Sequence, residues 1–147
     1  GLNRNMQYSS QALKRINHLI SELEQIYHQY ALKYKISDSV FIILYTLSVE
    51  GGECALSDIV LLSGLPKQTV NSAIRKMEEE GIIFLSENGK RRKNVVLTEK
   101  GREKAENSVV KLIEIENGIF SRWGEEKTER YIKETEEYND LMRKEID

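Results

Sequence analysis

Residues 64–101, GLPKQTVNSAIRKMEEEGIIFLSENGKRRKNVVLTEKG, constrain the fold more than any other part of the chain. Pro66 suits a first helical position, where the missing N–H has no intrahelical acceptor to lose, and Gly81 suits the residue just past a helix end. The spacing predicts a helix over Pro66–Glu80. Val70, Ala73, Ile74 and Met77 recur at the interval that builds one apolar stripe, which belongs on a core. On the other side stand Gln68, Asn71, Ser72 and Arg75, joined by Lys67, Thr69 and Lys76, with no acid before Glu78.

Amide and guanidinium groups can bond base edges bidentately, and hydroxyls can bond phosphates or bases, so this outer face suits a DNA major groove. The same residue types also serve as an ordinary solvated helix face. Beyond the helix, Ile82–Ser86 and Asn94–Thr98 are short β-prone runs, with Asn88-Gly89 between them as a turn signal. They read as a hairpin whose tip concentrates Lys90, Arg91, Arg92 and Lys93. Adjacent cations repel one another, which an exposed tip tolerates and a polyanion relieves.

A helix-turn-helix followed by such a hairpin is a winged helix, and here the residues resemble the MarR family of bacterial transcription regulators. GLPKQTVNSAIRKMEEEGII is similar to the family's recognition helix and its exit, and NVVLTEKG to the second wing strand and the start of the next helix. With the long flanking helices the resemblance spans essentially the whole chain. It implies a mainly α fold with a small β-wing: a winged helix-turn-helix DNA-binding domain over 37–98, and helical dimerisation regions over 1–36 and 99–147. It further implies a homodimer on double-stranded DNA, most often as a repressor, with a small-molecule effector held in a crevice between the two regions. One departure stands out. The wing often carries Asp-x-Arg, whereas this chain reads Gly89-Lys90-Arg91, keeping the arginine that would enter a minor groove without the carboxylate that orients it.

Charge is distributed as one DNA-facing surface requires. The 147 residues hold 22 bases and 24 acids. Yet Lys67, Arg75, Lys76 and the four cations of the hairpin tip face only Glu78, Glu79, Glu80 and Glu87, so a positive field is local. No apolar run approaches the ~20 residues of a membrane span, and no basic-then-apolar leader is present, so a cytoplasmic location is expected.

The first helix is expected from Asn5 to Lys35. Leu13, Ile16, Ile20, Leu23, Tyr27, Tyr30 and Tyr34 alternate three and four residues apart, a heptad-like seam that Ala12, Leu19 and Ile26 widen. So long a seam needs a second subunit, or else an intramolecular helical hairpin. Tyr27, Tyr30 and Tyr34 share one face. Core packing with an edge-bonded hydroxyl is one reading of them, and lining the family's effector crevice, as the resemblance implies, is the other. His18 and His28 lack any short metal-ligand spacing and are expected at the surface.

Ser37 or Asp38 can cap a second helix, Ser39–Val49, apolar almost all round and therefore central. Cys54 and Ala55 suit a very short first strand, with Cys54, the sole cysteine, a buried inert thiol. A third helix from Ser57 to Leu62 should pack Ile59, Val60 and Leu62 beneath the recognition helix, with Ser63-Gly64-Leu65 as the turn. Thr98 caps a helix expected from Glu99 to Phe120. Gly118 and Gly124 bracket an expected break holding Phe120 and Trp123, and a last amphipathic helix runs from Glu125 to Ile146.

Two functions remain open on this reading. One is a DNA-binding regulator; the other is a winged-helix module that offers the same polar helix to a protein partner. No cofactor is called for. An enzyme fits worst, since the chain shows no nucleophile–base pair, no phosphate loop and no metal spacing.

Overall fold

The computed structural model describes residues 4–88 and 92–147. In chain order the elements are α1 (Arg4–Lys33), α2 (Asp38–Val49), β1 (Glu53–Ala55), α3 (Leu56–Ser63), α4 (Lys67–Glu79), β2 (Ile83–Asn88), β3 (Arg92–Leu97), α5 (Glu99–Glu106), α6 (Val109–Trp123) and α7 (Glu125–Ile146). The antiparallel sheet runs β1-β3-β2, so the third strand of the chain is the central one. The result is mainly helical with a small β-wing.

The core condenses on α2, whose Val40, Phe41, Ile43, Leu44 and Leu47 are all buried. Around it gather Ile59 of α3, the α4 stripe Val70, Ala73, Ile74 and Met77, then Ile83, Val95 and Leu97 of the wing, and Val109 and Leu112 of α6. Each fully buried aliphatic side chain contributes about 1.5–3 kcal/mol. Thr46, the polar exception on α2, donates to the Ile42 carbonyl at 2.8 Å and so buries no unpaired hydroxyl.

Three helices end with the same device. After α1 the N–H of Ile36 bonds the Ala31 carbonyl and that of Lys35 the Leu32 carbonyl, a Schellman pair with Lys35 in the left-handed region at φ 57°. Gly51 holds the equivalent place after α2 and Gly81 after α4, at φ 88° and 76°. Lysine thus occupies a conformation in which its Cβ costs free energy and glycine's absence of one does not.

Several boundaries differ from the sequence expectation. Pro66 is the residue before α4 rather than its first, because its ψ of 143° is extended. The hairpin strands lie closer to the tip than expected, pairing as far as Asn88 with Arg92. Ile82 is drawn instead into the turn after α4, and Thr98 into the cap of α5. The single helix expected over 99–120 is two. Ser108, at φ −134° and ψ −89°, interrupts it; its buried hydroxyl bonds the Lys104 carbonyl and its own carbonyl accepts from Tyr30. Gly118 causes no break, lying within α6 together with Phe120 and Trp123; only Gly124, at φ 85°, turns the chain there. Leu62 is 55% exposed rather than packed beneath α4.

The seam of α1 is not closed by an intramolecular hairpin. Leu13, Ile16, Ile20, Leu23 and Ile26 are each about half exposed, and so are Tyr131, Tyr138 and Leu141 of α7. Within its own chain α1 is anchored by its last turns, where Ala31 is fully buried and Tyr27, Tyr30 and Tyr34 pack against the core. No helix among the described residues is long and apolar enough to cross a membrane.

Candidate nucleic-acid interface

Burying the α4 stripe turns the opposite face outward. Lys67, Gln68, Asn71, Ser72, Arg75 and Lys76 are exposed, and Thr69 is half-buried. The helix has no acid in its first turn and no side-chain cap, so the free N–H groups of that turn face an anion-friendly end. A shallow polar cleft of about 670 Å³ lies between this end and the start of α2, with Ser37, Ser39, Gln68, Thr69, Ser72 and Lys76 on its walls.

The wing is held against the exit of α4 by one threonine. The Thr98 hydroxyl donates to the Gly81 carbonyl at 2.6 Å and accepts from the Gly101 N–H at 3.0 Å, while its N–H bonds the Ile82 carbonyl at 3.1 Å. Gly101 is obligatory at this contact: a Cβ there would stand 1.9 Å from the Ile82 carbonyl oxygen. The Leu-Thr-x-x-Gly motif therefore fixes where β3 leaves the sheet relative to the polar helix. On the wing, Lys93 is exposed and pairs across the ladder with Glu87. Arg92 opens β3 opposite Asn88. Lys90 and Arg91, like the Gly89 departure, lie outside the described residues.

Behind this surface, α1, α2 and α3 enclose a groove of about 760 Å³. Tyr27, Phe41, Ile42, Tyr45, Val49 and Leu62 give it an apolar lining, and Glu24, His28, Asp38 and Glu50 a charged one. Two phenols from different helices share one carboxylate: Tyr27 donates to Glu116 Oε2 at 2.6 Å and Tyr45 to Oε1 at 2.5 Å. Burial first, and the bond to Glu116 second, push both phenol pKa values well above their usual range. Tyr30 is pushed up to about 12, mainly by burial. Its hydroxyl goes to the Ser108 carbonyl, and neither it nor Tyr34 is among the groove-lining side chains.

His28 Nδ1 lies 2.9 Å from both Asp38 oxygens, joining α1 to the start of α2. His18 is exposed beside Glu22. Among the described residues no cluster of His, Cys, Asp and Glu suits a metal ion. Cys54 is buried, and burial, then Asp58 and Glu50, push its thiol pKa up. Tyr45 and the exposed Leu62 line the groove and were missed by sequence reasoning, as was Glu116, the acceptor of the two phenols. Glu116 lies 89 and 71 residues from its two donors, a separation no local motif reports.

A buried-stripe helix delivered outward by a helix pair and followed by a three-stranded wing defines a winged helix-turn-helix protein. Residues 34–93 match the family model of the MarR family, so over its winged-helix segment this chain is similar to that family. Solved structures extend the fold likeness across the chain. A MarR family regulator from Neisseria meningitidis superposes with a TM-score of 0.78 at 24% identity, covering 92% of this chain and 96% of that one. Reduced AbfR bound to DNA gives 0.66 at 20% identity, covering 99% and 100%. Staphylococcus aureus MarR in complex with salicylate and kanamycin gives 0.68 at 16% identity, covering 95% of each chain. No curated protein matches the chain.

Proposed function

We propose that this protein is a sequence-specific DNA-binding transcription regulator, a repressor acting in the cytoplasm as a homodimer on a near-palindromic operator, with affinity modulated by a small ligand. The observation that carries the reading is the division of α4. Val70, Ala73, Ile74 and Met77 are buried, while Gln68, Asn71, Ser72 and Arg75 are presented to solvent on a helix whose first turn is free of acids.

The exposed seams of α1 and α7 support assembly, since so much aliphatic surface seldom stays bare on a monomer. Residues 1–36 and 99–147 would form the dimer, and 37–98 would read the DNA. Two α4 helices about a twofold would enter successive major grooves roughly 34–36 Å apart. Lys67, Gln68, Thr69, Asn71, Ser72, Arg75 and Lys76 would serve the groove, and Lys90, Arg91, Arg92 and Lys93 the flanking backbone and minor groove. The α1–α3 groove, with Tyr27 on its wall, would receive the ligand; AbfR bound to DNA and the salicylate complex of S. aureus MarR are in keeping with both roles.

Selection of bound duplexes from a random pool tests the reading. A near-palindromic consensus is expected, with log affinity falling against log salt by about 0.9 per phosphate contact. An unenriched pool, or an affinity indifferent to salt, would instead point to a winged-helix module that docks on a protein.

A further inference from the structure

We infer that the α1–α3 groove takes an apolar organic cation, resting on the reading above that this groove receives the modulating ligand. The argument starts from where the groove's own protons go. Tyr27 and Tyr45 both donate to Glu116, Thr46 donates to the Ile42 carbonyl, and the Ser63 hydroxyl reaches the Val60 carbonyl at 3.5 Å. Every neutral hydroxyl lining the groove is thus directed at an acceptor of the protein itself. A carboxylate or phenolate ligand would find no hydroxyl donor to satisfy it.

The charged walls point the same way. Glu24, Asp38 and Glu50 line the groove without a lysine or arginine among the lining residues. Its one basic side chain, His28, is held on Asp38 at 2.9 Å. Among the described residues neither Glu24 nor Glu50 has an ion-pair partner. Tyr27, Phe41 and Tyr45 add aromatic rings, whose electron-rich faces attract cations and repel anions. The space is shaped for a hydrophobic body, and apart from His28, whose Nδ1 is engaged by Asp38, its side chains offer acceptors.

A pair of probes equal in size and opposite in charge separates this inference from simple hydrophobic uptake. Tetraphenylphosphonium and tetraphenylborate are titrated calorimetrically into the intact protein without DNA. The cation is expected to bind at least about tenfold more tightly than the anion, and the preference is expected to shrink at least about threefold in the Glu24→Gln/Glu50→Gln variant, whose fold is checked by circular dichroism. Both substituted positions are exposed, and the wild-type comparison of the two probes stands without the variant. Equal binding, preference for the anion, binding of neither, or a preference that survives the double substitution would overturn the inference. Because DNA takes no part in the titration, a failure of the regulator reading in the duplex selection leaves this result separately legible.

Discussion

The Thr98 hydroxyl donates to the carbonyl of Gly81 at 2.6 Å, joining the residue that caps α5 to the residue that ends α4. Through this bond the polar helix and the wing share one anchor, and Gly101 packs its backbone against Ile82 in the same place. Gly101→Ala is therefore expected to destabilise the protein by roughly 2–4 kcal/mol, since backbone must shift to admit the methyl group. Thr98→Val removes the cap and is expected to cost about 1 kcal/mol. Urea unfolding at fixed protein concentration measures both.

At Lys35 the expected sign is opposite. Its φ of 57° closes a Schellman turn that glycine closes without a Cβ penalty, and the side chain is exposed. Lys35→Gly should raise stability by about 0.5–1 kcal/mol, read as a higher urea midpoint at unchanged slope.

Arg75 and Lys93 should fail differently on DNA. Arg75→Ala is expected to cost about 1–3 kcal/mol on the selected operator and much less on unrelated duplexes. Lys93→Ala should weaken all duplexes alike and lower the salt slope by about one. Titrations on two sequences at several salt concentrations distinguish the patterns.

Ile16 and Leu23 stand about half exposed on the α1 seam. Replacing both by glutamate should convert the proposed dimer into a monomer in light scattering and abolish cooperative binding to the proposed two-half-site operator, because paired carboxylates cannot be buried without partners.

The phenols of Tyr27 and Tyr45 have pKa values raised above their ordinary 10.0. Their contribution to stability is complete below pH 10, where the unfolded phenols are also protonated. It is lost as pH climbs toward the higher folded values, because the unfolded chain then releases protons first. Unfolding followed from pH 9 to 12 should show an alkaline decline that Tyr27→Phe/Tyr45→Phe makes shallower.

Local patterns made the polar helix legible. The stripe Val70–Met77 and the terminators Pro66 and Gly81 act within a few residues of one another, and the structure keeps them to within one position. α7 was found residue for residue, because Gly124 and an uninterrupted charged face bound it locally. The break at Ser108 was illegible for the opposite reason. Asn107 and Ser108 are compatible with a helix, and what stops it includes the hydroxyl of Tyr30, 78 residues away. The groove was hidden likewise: Glu116 looks like any charged position on α6 until α1 and α2 bring two phenols to it. Leu62 was misplaced because α3 spans only eight residues, too few for its pattern to say which leucine turns inward.

α1 is 30 residues long, about 45 Å end to end, and Leu13, Ile16, Ile20, Leu23 and Ile26 along it stay about half exposed. In the proposed homodimer that exposed seam would be covered, and so further ordered, by mass action. A cell that dilutes this protein by growth would first melt the arms and release the operator, while the reading heads stayed folded, so copy number itself would act as a signal.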